Sequence, residues 1–121
     1  MEITLYDQNG SPIAYLDPDD EQTIWMWDGY AVAYLDDDAL YGWNGQHIGW
    51  FVDGIMYDLD GYQTGYTAET CPRTLKYEPY KSFKKFKRFR RFQRFTKTMK
   101  TLKSSKSGTS LNELLMSGSV H

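Results

Sequence analysis

The segment TLYDQNGSPIAYL at residues 4–16 recurs three more times in the first half of the chain. The further copies are TIWMWDGYAVAYL at 23–35, ALYGWNGQHIGWF at 39–51 and IMYDLDGYQTGYT at 55–67. Their central glycines are Gly10, Gly29, Gly45 and Gly61, which lie 19, 16 and 16 residues apart. Self-similarity at a nearly fixed period indicates a fold built from repeated supersecondary units.

Each copy centres on a pair typical of a tight turn: Asn9-Gly10, Asp28-Gly29, Asn44-Gly45 or Asp60-Gly61. In a two-residue type I′ turn both residues take a positive φ, which Gly tolerates freely and Asn or Asp tolerate best among the rest. The sequence therefore predicts four β-hairpins with type I′ turns. Counting outward from the turns pairs Tyr6 with Ile13, Trp25 with Val32, Tyr41 with Ile48 and Tyr57 with Thr64.

The two faces of each predicted hairpin differ in character. The aromatic face also carries Tyr15, Tyr34, Trp50 and Tyr66. The other face pairs Leu5 with Ala14, Ile24 with Ala33, Leu40 with Gly49 and Met56 with Gly65, and its small residues allow another element to approach closely. Since an isolated hairpin is only marginally stable, the units must bury these faces together. We expect an all-β fold of four sequential β-hairpin repeats in a pseudo-four-fold arrangement, with an open row of hairpins as the alternative.

The repeated columns resemble those of the bacterial 4-fold beta flower family over residues 3–67. The shared pattern is an aromatic residue, Asn/Asp-Gly, then Ile/Val, Ala/Gly, an aromatic residue and Leu/Phe. The resemblance implies four hairpins around a central axis, with no established activity and no catalytic residues. Thr64 and Thr67 depart from the apolar columns in the fourth copy. A looser similarity, in composition and hairpin length, is to the aromatic repeats of choline- and cell-wall-binding modules.

The formal charge is divided between the two halves of the chain. Residues 1–70 carry 14 Asp and Glu and no Lys or Arg, a formal charge of −14. Residues 71–121 carry all 14 basic residues and only Glu78 and Glu113, a formal charge of +12. This division indicates that the halves attract each other or that the basic half has an anionic partner.

A three-residue period marks the basic half, where phenylalanine recurs at Phe83, Phe86, Phe89, Phe92 and Phe95. On an α-helix these rings would spread over roughly 240° of the surface, and on a strand they would alternate between faces. Polyproline-II and 3₁₀ geometries repeat every three residues and align all five rings. The spacing favours an extended, polyproline-II-like tail with one phenylalanine edge, and a basic helix on a membrane or nucleic acid is the rival interpretation.

The predicted organisation has four parts: a four-hairpin domain over 1–68, a Pro-containing linker over 69–80, the basic segment over 81–103 and a flexible end over 104–121. Within the flexible end, Ser110-Leu111-Asn112-Glu113 matches a capping box and predicts a short helix over 111–116.

The acidic, aromatic repeats offer the tail both kinds of surface that its residues need. We therefore expect the tail to dock on the repeats, in the same chain or between subunits, because five solvated Phe side chains are unfavourable. The predicted tail residues are Phe83, Lys84, Lys85, Phe86, Arg88, Phe89, Arg90, Arg91, Phe92, Arg94 and Phe95.

Six aromatic residues of the repeats are candidate binding residues: Tyr15, Trp27, Tyr34, Trp43, Trp50 and Tyr66. Trp27 and Trp43 flank the turns and are expected to be exposed. The other four have two interpretations, core packing between hairpins or a ring of aromatic faces that receives a cation or a sugar.

Few residues support catalysis at neutral pH. His47 is expected to face solvent beside a turn, His121 is the last residue, and no Ser/His/Asp or Cys/His set accompanies them. The single Cys71 excludes an internal disulfide. Asp58-Leu59-Asp60-Gly61 resembles the start of a calcium loop but lacks the later ligands. We expect no enzyme, no metal and no cofactor.

The sequence thus predicts a non-enzymatic binding or scaffold protein that has protein partners, itself or others, and forms homo-oligomers. The alternatives are a tail that binds anionic membrane or nucleic acid, and repeats that bind choline- or glycan-type ligands. The start MEITLYDQNG lacks a basic and apolar leader, and no run approaches the roughly 18 apolar residues of a membrane span, so a cytoplasmic location is expected.

Overall fold

Four consecutive hairpins close into a barrel in the computed structural model, which describes residues 1–120. The strands are β1 (Ile3–Tyr6), β2 (Pro12–Asp17), β3 (Thr23–Met26), β4 (Ala31–Asp36), β5 (Ala39–Gly42), β6 (His47–Val52), β7 (Ile55–Asp58) and β8 (Gln63–Tyr66). Each strand is antiparallel to the next, and β8 returns to β1 where Tyr66 pairs with Tyr6. The all-β prediction is confirmed, and the hairpins form a closed ring and not an open row.

The hairpin turns are one residue longer than predicted. The Asp7 N–H donates to the Ser11 carbonyl at 2.9 Å, so that residues 8–10 form a three-residue loop. Only the glycine has a positive φ, +80° at Gly10, whereas Asn9 does not. The Asp7 carboxylate accepts the N–H groups of Asn9 and Ser11 at 2.9 and 3.0 Å, which holds the longer loop. The predicted type I′ turn is therefore wrong, and a loop ending in a left-handed glycine replaces it in all four hairpins.

A β-bulge behind each turn restores the predicted pairing deeper in the hairpin. Tyr6 pairs with Pro12, whereas Leu5 pairs with Ala14, so that Ile13 between them has no partner in the ladder. The equivalent residues in the other hairpins are Val32, Ile48 and Thr64. The pairing of Tyr6, Trp25, Tyr41 and Tyr57 with these residues was predicted wrongly. The aliphatic pairs, from Leu5 with Ala14 to Met56 with Gly65, are confirmed.

Hydrophobic side chains form two layers because successive strand residues point to opposite sides of the barrel wall. The barrel residues of the inner layer are Leu5, Ala14, Leu16, Ile24, Val32, Ala33, Leu40, Ile48 and Met56. The buried outer layer is largely aromatic, with Tyr15, Trp25, Tyr34, Tyr41, Trp43, Trp50 and Tyr57. The bulges move Val32 and Ile48 from the predicted aromatic face to the inner layer.

Helix α1 (Leu111–Ser117) packs on the inner layer through Leu111, Leu114 and Leu115. Ser110 and Glu113 form the predicted capping box at its start. Gly65 makes room for the helix, since a Cβ at that position would lie 2.9 Å from the Leu111 side chain. Seven residues are too few for a stable isolated helix, so packing in the barrel holds α1. Among residues 1–120, no helix has the length and apolar character needed to cross a membrane.

Truncation of a buried helix residue tests this packing. We expect Leu115→Ala to lower the free energy of unfolding by about 2–5 kcal/mol, because Leu115 is 0% exposed. Met116→Ala, one residue further on and 41% exposed, is the matched control and should change it much less. Urea denaturation measures both variants, and equal losses would contradict the packing of α1 in the barrel.

Candidate functional site

An extended segment without helix or strand, residues 74–103, follows the barrel, and we call it the collar. The N–H groups of Lys76, Lys85, Arg94 and Lys103 donate to the carbonyls of Gly10, Gly29, Gly45 and Gly61, respectively, at 2.8–2.9 Å. Because the hairpins follow one another around a closed barrel, the collar passes all four turns in order and encircles the barrel. The segment is extended as predicted, and the rival helical interpretation is wrong.

The anchors of the collar recur every nine residues, one unit for each hairpin. Besides the N–H donors, the carbonyls of Thr74, Phe83, Phe92 and Thr101 lie against the same four glycines, and an added Cβ would stand 2.1–2.4 Å from their oxygens. Nine residues make three turns of an extended backbone that has three residues per turn. Sequence reasoning missed this repeat, although a basic residue at every ninth position, 76, 85, 94 and 103, was a usable signal.

The three-residue period gives the collar three edges, which we call the inner, basic and aromatic edges. The inner edge holds residues that touch the barrel: Lys81, Lys84, Lys87, Arg90 and Gln93. The basic edge holds Lys85, Arg88, Arg91, Arg94 and Lys97. The aromatic edge holds Tyr77, Tyr80, Phe83, Phe86, Phe89, Phe92 and Phe95, with exposed fractions of 79–101%.

The aromatic edge points away from the barrel. Its five Phe side chains are 89–98% exposed, so the repeats of the same chain do not cover them, and covering by the repeats of another subunit stays a prediction. The barrel accepts the inner edge instead, because its outer surface offers carboxylates and ring faces, both of which bind cations.

Ion pairs join the inner edge to the acidic barrel. Lys84 Nζ lies 2.5 Å from the Asp17 carboxylate, and Lys87 Nζ lies 2.8 Å from that of Asp20. Lys81 pairs with Glu2. The hydrogen bond from Lys84 lowers the pKa of Asp17, and that from Lys81 lowers the pKa of Glu2. The collar thus neutralises part of the negative charge of the barrel.

Cation–π contacts join the same edge to the aromatic layer. The Arg90 guanidinium lies 3.9 Å from the Tyr34 ring centroid, and Lys81 Nζ lies 4.4 Å from that of Tyr15. Lys85 of the basic edge makes a similar contact at a turn, where its Nζ lies 4.6 Å from the Tyr30 ring centroid and donates to the Asp28 carbonyl at 2.5 Å. Cations of the chain itself therefore occupy the faces of Tyr15 and Tyr34.

Five of the six candidate aromatic residues of the repeats lie under or beside the collar, and the sixth, Tyr66, donates a hydrogen bond to Gln63 in β8. Tyr15, Tyr34, Trp50 and Tyr66 are buried at 1–6% exposure. The expectation of exposed turn-flanking rings is wrong, because Trp43 is buried and Trp27 is half-buried. Trp43 Nε1 donates to the Arg88 carbonyl at 2.7 Å, and the Trp27 carbonyl accepts the Ser82 N–H at 3.0 Å.

His47 is buried at 3% exposure, which corrects the expectation that it faces solvent. Its Nδ1 accepts the Lys97 N–H at 2.9 Å, so the ring proton resides on Nε2, which donates to the Gly49 carbonyl at 2.8 Å. The Trp50 ring packs edge-on at 4.4 Å. Burial lowers the pKa of His47, and the neutral ring fastens the collar to the third hairpin.

Part of the basic edge has no ion-pair partner in the part of the chain that the structure describes. Arg88, Arg91, Arg94 and Lys97 make no ion pair among residues 1–120. Their charges lie beside exposed Phe side chains, so the outward surface of the collar alternates aromatic rings with uncompensated cations. This surface, from Phe86 to Lys97, is the candidate binding site.

One known protein family matches nearly the whole of this architecture. A family model described as 4-fold beta flower protein matches residues 3–115. The matched span continues past the four hairpins, through the collar and into α1. Neither the curated proteins nor the solved structures gave a match.

Protonation of His47 should loosen the collar. Because burial places the folded-state pKa below the ordinary value of 6.5, the folded chain binds fewer protons, and stability falls as pH drops through that value. We expect the melting temperature to fall between about pH 7.5 and pH 5.5, above the range where most carboxylates titrate. His47→Gln should flatten this dependence and His121→Ala should not; identical pH profiles for all three proteins would refute the assignment.

The turn glycines provide a test of collar anchoring. Gly29→Ala places a side chain at φ +95° and 2.3 Å from the Phe83 carbonyl oxygen, so we expect the unfolding free energy to fall by about 1–3 kcal/mol. Gly108→Ala is the control, since nothing lies within 4 Å of an added Cβ there. Denaturant titration of both variants gives the comparison, and a Gly29 variant as stable as the control would exclude the anchor.

Proposed function

The chain belongs to the 4-fold beta flower family. We propose that it is a non-enzymatic binding and assembly protein, and that its barrel presents the aromatic edge of the collar to a partner. The observation that carries the proposal is the 89–98% exposure of five Phe side chains on a segment anchored to every hairpin turn. A flexible tail could hide such rings among themselves, whereas an anchored collar keeps them in solvent.

Burial of the rings supplies the driving force for binding. Fully burying one Phe side chain contributes roughly 1.5–3 kcal/mol, so two or three rings offer a partner a substantial free energy. The collar is already ordered by its bonds to the turns, so binding does not repeat that entropic cost. Contiguous exposed apolar surface is the usual mark of an interaction site.

The cations beside the rings define the chemistry of the partner. Arg88, Arg91 and Arg94 flank Phe89 and Phe92 in sequence, so the complementary surface is apolar with acidic groups around it. A protein surface of that kind is the favoured partner, either another copy of the chain or a different protein. The free Cys71 thiol suits a reducing compartment, and a cytoplasmic location is part of the proposal.

A second candidate function is binding of anionic membrane or nucleic acid, which the uncompensated arginines of the basic edge favour. Exposed acids such as Asp37 and Asp38 would repel a polyanion that approached the rest of the molecule. Binding of choline or glycans by the repeats has less support, because Lys81 and Arg90 already cover Tyr15 and Tyr34.

Removal of the rings tests the proposed function. We expect Phe86→Ser/Phe89→Ser/Phe92→Ser to keep the wild-type melting temperature, because exposed substitutions change stability little. The probes are the chain itself in sedimentation, phosphatidylserine-containing vesicles and a thymidine oligonucleotide. The wild type should engage at least one probe, and the triple variant should bind it at least about tenfold more weakly.

Met116→Ser, which alters an exposed apolar side chain outside the collar, is the control and should bind as the wild type does. Two results would overturn the proposal: a wild-type chain that engages none of the three probes, or a triple variant that engages its probe as strongly as the wild type.

A further inference from the structure

We propose that the partner of the aromatic edge is a second copy of this chain, which receives it in an acid-lined groove at the seam of the barrel. The inference rests on the proposed function and names the partner. It follows from a groove on the same molecule that has an apolar bottom for a Phe ring and carboxylates to attract the cations of the collar.

The groove, of about 630 Å³, lies where β1 and β8 close the barrel. This seam pairs at one position, Tyr6 with Tyr66, whereas β2 and β3 pair at four. Ile3 and Phe51 line the groove, are half-buried and pack against the inner layer. Its bottom is therefore apolar and continuous with the core.

Carboxylates surround this apolar bottom. Glu2, Asp53, Glu69 and Glu78 all line the groove, and all four residues are exposed. Glu2 is engaged by Lys81 and Lys84. Asp53, Glu69 and Glu78 make no ion pair among residues 1–120. The groove thus has uncompensated negative charge to match the uncompensated positive charge of the basic edge.

The alternation of aromatic and basic residues along the collar fits the groove. In the run Phe89-Arg90-Arg91-Phe92, a ring that enters the apolar bottom brings the Arg91 guanidinium toward the acidic rim. Arginine binds carboxylates through two parallel hydrogen bonds, which suits a rim where Asp53 and Glu69 make no ion pair and Glu78 accepts only the Thr4 hydroxyl. A polyanion would satisfy the arginines and would be repelled by the groove, so the groove favours the second copy.

The two surfaces cannot meet within one molecule. The collar near Arg91 and Arg94 is anchored to the β5–β6 turn at Trp43 and Gly45, whereas Asp53 follows the far end of β6. Six strand residues, about 20 Å, separate those ends. Docking is therefore between copies, and it joins two different surfaces, so it generates closed rings or open filaments and not a symmetric dimer.

Complementary variants test this geometry. The collar variant is Phe89→Ser/Phe92→Ser. The groove variant is Asp53→Asn/Glu69→Lys, in which Asn is chosen because residue 53 has a φ of +51° and Asn tolerates the left-handed region. Asp38→Lys is the control, since it reverses an exposed charge outside the groove. Circular dichroism and melting curves verify that each variant is folded.

In sedimentation velocity, we expect the wild type and Asp38→Lys to associate with rising concentration and to dissociate at high salt. Each of the two double variants should associate at least about tenfold more weakly. An equimolar mixture of the two should form a one-to-one dimer that grows no further, because each pair retains one intact collar and one intact groove.

Three results would overturn the inference. One is a wild type that stays monomeric at all concentrations; if it also binds vesicles or the oligonucleotide through its Phe residues, the proposed function survives, and if it binds neither, both fail. The second is self-association that the collar variant abolishes and the groove variant leaves intact. The third is a mixture of the double variants in which no dimer forms.

Discussion

Each of the four turn glycines touches the collar, and these contacts determine where the collar lies and which of its side chains face solvent. At Gly45 the left-handed backbone leaves its carbonyl free to accept the Arg94 N–H, and the absent Cβ lets the Phe92 carbonyl approach. Four such contacts, spaced by nine residues, fix the position of the collar along the ring. Since a three-residue period fixes the edges relative to the backbone, these contacts also determine which side chains face solvent.

Electrostatics explains why barrel and collar belong together. The first 70 residues carry 14 acidic and no basic side chains, and a compact domain of that charge is destabilised by self-repulsion. Lys84 and Lys87 relieve this repulsion through ion pairs with Asp17 and Asp20. Arg90 adds a further positive charge, which lies over the Tyr34 ring. Surface ion pairs are individually weak, about 0–1 kcal/mol, so their combined number is what stabilises the collar. Among residues 1–120 the arginines of the basic edge contribute no such pairs, and in the proposed function their charge attracts the partner.

Local signals in the sequence predicted the hairpins, the deep strand register, the extended tail and the capping box of α1. They did not predict the turn length, because Asn-Gly and Asp-Gly fit both two- and three-residue loops. The Asp7 and Asp58 carboxylates hold the longer loop in the first and fourth hairpins, and the Asp28 and Asn44 side chains accept an N–H group within it in the other two. The burial of Trp43 and His47 was also missed. Both are covered by collar residues about 45 to 50 positions away, such as Arg88 and Lys97, and no local pattern reports so distant a contact.

The aromatic edge faces outward because only one edge of the collar can cover the outer layer of the barrel, and the inner edge does so. Turning the five Phe side chains inward would bury apolar area worth roughly 1.5–3 kcal/mol each, but would move Lys84, Lys87 and Arg90 away from the carboxylates and ring faces they occupy. The outer layer of the barrel already buries its own aromatic residues, from Tyr15 to Tyr57, and needs only a cover that supplies cations. The exposed phenylalanines therefore leave apolar area unburied, and we propose that a partner with an apolar, acid-rimmed site buries it.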